Sequence, residues 1–276
     1  GGILYGNPLY HDQSDGGPGC FHVGPACDES RAAFARYAAA TAKRYAGKGI
    51  IWEIWNEPNI GFWRPRPNVG DYCKLVAAAA RAIRSADPQA YIVGACTAEI
   101  DLQFISDMGR LGALAHLNAV TVHPYRASAP ETAAADYRRV RAIIERHSSG
   151  RDIPIVSGEW GYSTDQPGIS PEVQAAYVVR QGLANLAADV PLSLWYTWHN
   201  GTDGPSPKAW DLNMGLVALK GEPKPAYHAA RTLCEALKGY RYIRRLALPS
   251  NGDYALLFRK GEETALAVWT TGEPHA

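Results

Sequence analysis

The chain has 276 residues, of which 46% are hydrophobic and 20% are charged, and its formal net charge is +1. This composition supports a packed core and excludes general disorder. A near-neutral charge gives no single-sign field to gather nucleic acid or an anionic membrane, and no apolar run approaches the roughly 20 residues of a membrane span. We therefore expect neither a nucleic-acid nor a membrane partner.

Short β-like runs alternate with amphipathic helical runs over most of the chain. The predicted strands are Ile3–Tyr10, Ile50–Asn56, Tyr91–Cys96, Asn118–Pro124, Ile153–Gly158 and Pro191–Trp198. The predicted helices are one ending at Gly47, Asp71–Ala86, Asp101–Leu114, Glu131–His147, one starting at Ser170-Pro171, and Pro225–Leu237. This alternation indicates an α/β fold with a parallel sheet and helical crossovers.

Two helix starts carry recognisable capping residues. Asp28 or Ser30 is expected to cap the first helix, and Ser170 is expected to cap a helix with Pro171 at its first position.

The pattern changes after Gly239. Three shorter runs, separated by the turn sequences SNGD and KGEE, predict an antiparallel meander over Tyr240–Leu248, Tyr254–Arg259 and Ala265–Trp269. We therefore predict two domains, an α/β domain over residues 1–238 and a β appendage over residues 239–276. Predicted strands start about 38 residues apart, so the first domain holds six βα units.

The cysteines give little information. Cys20 and Cys27 flank a loop that could close as a disulfide in an oxidising compartment, but spacing alone leaves the thiol and disulfide forms open. No C-x-x-C pair is present, which disfavours redox and zinc-ribbon readings.

Two glutamates lie where predicted strands end. Glu57 follows the strand IIWEIW within Asn56-Glu57-Pro58, and Glu159 follows IPIVSG. Side chains at the carboxyl ends of parallel strands meet at one edge of the sheet, where α/β folds place their sites. One carboxylic acid and one carboxylate are the pair that glycosidic bond cleavage requires. Glu53 precedes Trp55 by two residues and lies on the same face of the strand. We expect Glu53 to be a buried, paired structural carboxylate and not a third catalytic group.

Aromatic residues surround these glutamates. Indole faces pack on sugar rings, and sugar hydroxyls need hydrogen-bonding neighbours. The candidate substrate-binding residues are Asn56, Trp63, His123, Tyr125, Trp160 and Trp198. We expect Trp63, with Trp210 and the loop Asn200–Lys208, to shape outer subsites, whereas Trp52, Trp55 and Trp195 are expected in the core. No P-loop, H-E-x-x-H or G-x-S-x-G motif competes with this interpretation.

With these motifs in place, the chain resembles a clan A glycoside hydrolase, most closely family 39. The matching segments are WEIWNEPN, VTVHPY, SGEWGYS, LSLWYTWHN and KPAYHAARTL. The resemblance implies a TIM-type (β/α)8 barrel, a retaining mechanism and an appended β-sandwich, of which the meander would be part. It assigns Glu57 as general acid/base, Glu159 as nucleophile and Asn56 as the partner of the sugar 2-hydroxyl. It places His123, Tyr125 and Trp198 around the reacting ring.

The first predicted strand matches the third strand of the family, so the barrel is expected to be incomplete, with six of eight βα units. An open sheet exposes edges, and self-association that covers the open side is one expected consequence. A truncated gene product remains an alternative.

The function predicted from sequence is retaining hydrolysis of β-glycosidic bonds in oligo- or polysaccharides. The double displacement needs no metal or organic cofactor, and we predict none. A non-catalytic carbohydrate-binding protein derived from such a barrel is the alternative. Polysaccharide substrates favour an extracellular or periplasmic location, although the chain carries no recognisable signal peptide.

Overall fold

The computed structural model describes residues 1–6, 22–202, 204 and 211–273. Cys20, Trp210, much of the predicted loop Asn200–Lys208 and the second half of the predicted strand Ile3–Tyr10 lie outside these ranges. The chain divides into two compact units. One consists of Gly1–Pro124 with Asp136–Gly158, and the other of Tyr125–Ala135 with Glu159–Ala276.

The principal sheet contains six strands in chain order. They are β1 (Gly2–Leu4), β2 (Ile51–Ile54), β3 (Tyr91–Ala98), β4 (Ala119–His123), β5 (Ile155–Trp160) and β6 (Ser193–Trp195). The pairings from β1 through β5 are parallel. Parallel neighbours in sequential order require a crossover after each strand, and helices supply those crossovers. The fold is therefore the predicted TIM-type (β/α) arrangement with six βα units.

One helix follows each strand of this sheet. They are α1 (Asp28–Arg44), α2 (Val69–Ala86), α3 (Leu102–Arg110), α4 (Ala133–His147), α5 (Pro171–Ala187) and α6 (Pro225–Ala236). In the described part of the chain, no helix is both long and apolar enough to cross a bilayer.

The start of α1 differs from the sequence-based expectation. Cys27, rather than Asp28 or Ser30, is the N-cap, and its sulfur accepts a hydrogen bond from the backbone N–H of Ser30. The hydroxyl of Ser30 accepts in turn from the N–H of Cys27, which completes a capping box. Asp28 lies in the first turn, where a negative charge favours the helix dipole. The cap predicted at Ser170 is confirmed, with Val173 N–H as its donor.

Two predicted helices are divided in the structure. The run Asp101–Leu114 is wrong as a single helix, because Gly112 adopts a left-handed conformation with φ 77° and separates α3 from the 3-10 turn Ala113–His116. Similarly, a 3-10 turn at Pro130–Thr132 precedes α4.

Burial of the strands explains their composition. All five residues of β4 are buried, which matches its almost continuously apolar sequence. In the first unit, a Cβ at Gly24 would clash with the indole of Trp63, so only glycine allows this close approach. Trp63 packs edge-on against Trp55 and Tyr72, with ring centroids 5.3 and 5.9 Å apart.

The predicted antiparallel meander is confirmed as a sheet in the second unit. It contains β7 (Arg241–Arg245), β8 (Asp253–Lys260) and β9 (Glu263–Thr270), in that order. Leu256 and Phe258 of β8 pack with Leu183 of α5 in one apolar cluster. The proposed domain boundary near residue 238 stays a prediction.

Candidate active site

Glu57 lies three residues beyond the end of β2, on a backbone held by the neighbouring strand. Its N–H donates to the carbonyl oxygen of Cys96 at 3.0 Å. Glu57 has φ 46°, and Trp55 and Cys96 have φ 67° and 48°. Non-glycine residues in this left-handed region cost of order 1–3 kcal/mol each, and such strain concentrates at functional sites. Three strained backbone positions therefore cluster around the point where the side chain of Glu57 leaves the chain.

The carboxylate of Glu57 is held by a buried histidine. His123, the last residue of β4, has 0% of its surface exposed, and its Nδ1 lies 3.0 Å from Oε1 of Glu57. On the other side of the ring, Nε2 lies 3.7 Å from Oε1 of Glu53. One imidazole therefore lies between two carboxylates, each of which belongs to a residue that is 7% exposed.

Glu53 is buried and paired, as the sequence predicted. Burial acts to raise the pKa of the Glu53 carboxyl, but the nearby imidazole of His123 and the hydroxyl of Thr121 together lower that pKa below its ordinary value. Thr121, two residues before His123 on β4, donates its hydroxyl hydrogen to Oε1 of Glu53. Glu53 is consequently a carboxylate in the folded protein.

Asn56 and Tyr5 are two further residues of the first unit with notable polar groups. Oδ1 of Asn56 is a buried atom without a hydrogen-bond partner in the part of the chain that the structure describes. An unsatisfied buried acceptor is costly, so it suits a ligand that brings its own hydroxyl donor. Tyr5 follows β1, and both burial and the negative charge of Glu57 raise the pKa of its phenol.

Glu159 lies in the second unit, where the strand β5 runs two residues beyond its predicted end at Gly158. The hydroxyl of Tyr125 donates to Oε1 of Glu159 at 2.7 Å. The ring of Tyr125 meets that of Tyr196 edge-on, with centroids 6.5 Å apart. A charge-assisted hydrogen bond of this length fixes the carboxylate and stabilises its negative charge.

Trp198 is an exposed aromatic residue of the second unit. It is 60% exposed, and its ring meets Tyr227 of α6 edge-on with centroids 6.0 Å apart. An indole supported on one side and open on the other can stack on a sugar ring.

Three predicted substrate contacts are buried, and their assignment to the substrate site stays a prediction. Trp63 is 1% exposed and lies in the aromatic core of the first unit. Trp160 is fully buried, with the guanidinium of Arg126 5.7 Å from its ring centroid and Tyr162 beside it. His123 is fully buried and contacts Glu57. The tryptophans Trp52 and Trp55 are buried, as expected, whereas Trp195 is half-buried.

Thr121 and Tyr5 were not among the residues predicted from the sequence. Thr121 precedes His123 by two residues, so both side chains point to the same side of β4, a period-two signal that was available. Tyr5 directly follows β1, which is the strand-end position that identified Glu57.

Each glutamate thus has a dedicated hydrogen-bonding neighbour in its own unit. Nδ1 of His123 lies within hydrogen-bond distance of Glu57, and the hydroxyl of Tyr125 donates to Glu159.

Comparison with known proteins points to one class of enzyme. Residues 22–202 match the family model described as Cellulase (glycosyl hydrolase family 5). A curated β-xylosidase from Geobacillus stearothermophilus is 28% identical over 244 residues, which cover 79% of this chain and 46% of that protein. The chain therefore spans about half the length of the curated relatives it matches.

Solved structures show the same fold. A family 39 glycoside hydrolase from Bacteroides cellulosilyticus WH2 superposes with a TM-score of 0.76 at 24% identity, covering 90% of this chain and 53% of that one. A family 39 β-xylosidase from Caulobacter crescentus gives a TM-score of 0.59 at 26% identity, covering 86% of this chain and 53% of that one.

Proposed function

We propose a glycosidase activity from the premise that the chain belongs to the family described as Cellulase (glycosyl hydrolase family 5), a clan A glycoside hydrolase family. Within the clan, its likeness is to family 39. The proposed reaction is hydrolysis of β-glycosidic bonds in oligo- or polysaccharides. Relatives named β-xylosidase make aryl β-xylosides the first substrates to test.

The observation that carries the proposal is a pair of hydrogen bonds from one tripeptide. His123 lies 3.0 Å from Glu57, and Tyr125, two residues later in the chain, donates to Glu159 at 2.7 Å. Two carboxyl groups that are hydrogen-bonded by residues at the end of one strand are suited to act on one substrate. A general rule supports this proposal: the carboxyl ends of parallel strands lie at the same edge of a sheet, and ligands of α/β proteins bind at that edge.

The proposed mechanism is a double displacement with retention of configuration. Glu57 gives its proton to the leaving oxygen while the carboxylate of Glu159 attacks the anomeric carbon and forms a glycosyl–enzyme ester. Glu57 then takes a proton from water, which attacks the same carbon and releases Glu159. Retention requires the two carboxyl groups to stand about 5–5.5 Å apart, whereas inversion requires roughly 6.5–9.5 Å.

Substrate contacts complete the proposal. Asn56 would accept a hydrogen bond from the sugar 2-hydroxyl at its buried Oδ1, and Trp198 would stack on a sugar ring with its exposed face. Tyr125 both positions Glu159 and lies beside the reacting ring.

Activity assays and product stereochemistry test this function. We expect hydrolysis of 4-nitrophenyl β-xyloside or a related aryl glycoside, and severe loss of turnover in Glu57→Gln and Glu159→Gln. NMR of the first-formed product should show the β-anomer before mutarotation. Binding of oligosaccharides without turnover would favour the non-catalytic alternative, and a first-formed α-anomer would overturn the double displacement.

Two expectations about the context of the protein accompany the proposal. Polysaccharide substrates favour an extracellular or periplasmic location, which cell fractionation of the native source tests. Ile3 on the edge strand β1 is 44% exposed, and an exposed edge favours self-association. Light scattering during size-exclusion chromatography should detect an oligomer, and a monodisperse monomer would contradict that expectation.

A further inference from the structure

Glu53 is a buried carboxylate of the first unit that has no role in the double displacement proposed above. Glu53 is 7% exposed and faces Nε2 of His123 at 3.7 Å, while Nδ1 of the same ring faces Glu57 at 3.0 Å. Glu53 and Glu57 are four residues apart in the chain, and the imidazole bridges them.

The arrangement determines where hydrogens belong on the ring. A ring nitrogen without a hydrogen carries a lone pair, which repels a facing carboxylate. Nε2 of His123 faces the carboxylate of Glu53, and Nδ1 faces the carboxyl group of Glu57. The charge of Glu53 therefore favours hydrogen on both ring nitrogens, most strongly whenever Glu57 is ionised. Burial makes this preference stronger, because charges interact more strongly where water is excluded.

We propose that Glu53 is a positioning residue that acts through His123 on the acid/base Glu57. The charge of Glu53 keeps both ring nitrogens of His123 protonated, and the Nδ1–H then fixes the carboxyl group of Glu57. This inference rests on the proposed function for its catalytic meaning, and on the geometry of the first unit for its structural part.

The consequence for the reaction concerns the step in which Glu57 acts as an acid. As the proton passes from Glu57 to the leaving oxygen, negative charge develops on the Glu57 carboxyl group, and the Nδ1–H of His123 is placed to stabilise it. A neutral residue at position 53 removes the charge that favours the doubly protonated ring. The Nδ1–H of His123 then becomes a weaker hydrogen-bond donor to Glu57.

Two contacts hold Glu53 itself in place. Thr121 donates its hydroxyl hydrogen to Oε1 of Glu53. A Cβ added at Gly158 would lie 3.2 Å from that same oxygen, so glycine leaves room for the carboxylate. The position of Glu53 is therefore defined by β2, β4 and β5 together.

The test compares leaving groups in the variant Glu53→Gln. A poor leaving group such as unsubstituted phenol needs acid assistance, which contributes about 10²–10⁴-fold in such reactions, whereas 2,4-dinitrophenol needs almost none. We expect Glu53→Gln to lower kcat/KM about 10-fold or more for the phenyl glycoside, and less than about 3-fold for the dinitrophenyl glycoside. Thr121→Val is a milder change, and we expect it to lower kcat/KM for the phenyl glycoside in the same way but by a smaller factor.

Glu131→Gln is the matched control. Glu131 is also a carboxylate residue that is 7% exposed, but its partners are Arg180 and Trp269. This variant is expected to change kcat/KM for both substrates by one common factor. Equal losses on the two leaving groups in Glu53→Gln and Thr121→Val would overturn the positioning role.

A spectroscopic measurement separates this inference from the proposed function. The ring ¹⁵N signals of His123, assigned by comparison with His123→Asn, should report two protonated nitrogens in the wild type and a neutral tautomer in Glu53→Gln. Ring signals that do not respond to Glu53→Gln would overturn the inference whatever the activity. A wild-type protein inactive on every glycoside, with the ring signals responding as expected, would overturn the proposed function alone.

Discussion

The hydroxyl of Tyr125 donates a hydrogen bond of 2.7 Å to Oε1 of Glu159, immediately after the strand that ends in His123. Hydrogen bonds to charged groups contribute about 1.5–3 kcal/mol, and a factor of ten in rate corresponds to about 1.4 kcal/mol. We therefore predict that Tyr125→Phe lowers kcat/KM on an aryl glycoside by about 10- to 100-fold. Steady-state kinetics measures this loss. An unchanged kcat/KM would remove Tyr125 from the site, and Tyr177→Phe provides a control tyrosine of the same unit.

Two tryptophans with opposite exposure should respond in opposite ways. Trp63 is 1% exposed and packs in the aromatic core, so Trp63→Ala is expected to cost about 3–5 kcal/mol of unfolding free energy. Trp198 is 60% exposed, so Trp198→Ala should leave stability within about 0.5 kcal/mol and raise KM by about 3- to 10-fold through lost stacking. Urea unfolding and steady-state kinetics on both variants provide the comparison. A stable Trp63→Ala protein or an unchanged KM for Trp198→Ala would contradict the respective assignment.

In the second unit, the buried carboxylate of Glu131 pairs with α5 and also accepts a hydrogen bond from the antiparallel sheet. Arg180 of α5 donates to both oxygens of Glu131 at 2.6 and 2.8 Å, and Trp269 of β9 donates to Oε1 at 2.7 Å. Removing one partner of a buried pair leaves an uncompensated charge, so Arg180→Leu should lower the unfolding free energy by about 3–5 kcal/mol.

The exposed pair Arg231–Glu235 of α6 provides the control for this prediction. Its nitrogen–oxygen distance is 2.8 Å, yet both side chains are at least 60% exposed. Exposed pairs contribute about 0–1 kcal/mol, so Arg231→Leu should change stability little. Equal costs in chemical denaturation for Arg180→Leu and Arg231→Leu would show that burial does not determine the effect.

Lys224 gives the folded protein a predictable pH dependence. Burial lowers the pKa of its ammonium group from 10.5 to about 8, against a smaller opposite effect of Asp165. Between about pH 8 and 10.5 the unfolded chain binds more protons at this lysine than the folded protein does. Stability therefore rises with pH through that window, because raising the pH removes a proton that only the unfolded state retains.

The variant Lys224→Met is expected to lose this contribution. The difference in unfolding free energy between wild type and variant, measured by denaturation at several pH values, should change between pH 8 and 10.5 and be constant above that range. A pH-independent difference would contradict the lowered pKa. Lys238→Met, at an exposed position just beyond α6, is the control.

The sequence predicted the architecture because its signals are local. Buried parallel strands such as β4 need continuous apolar residues, and β8 and β9 need turn residues between them, so composition and spacing identified both sheets. Helix ends were less predictable, because a cap depends on one hydrogen bond. Cys27, a residue type rarely expected there, displaced Asp28 and Ser30 at the start of α1.

By itself, the sequence also predicted which carboxyl groups matter: Glu57 follows β2, Glu159 lies near the end of β5, both carry the motifs of a glycosidase, and Glu53 was expected on the inward face of its strand. Only the tertiary structure decided which neighbours those carboxyl groups have. The ring of His123 reaches Glu57 and Glu53 across 66 and 70 positions of the chain, and Trp63 is covered by residues that include the distant Gly24. Exposure and hydrogen bonding depend on residues brought together by folding, and a linear pattern of residue types does not contain that information.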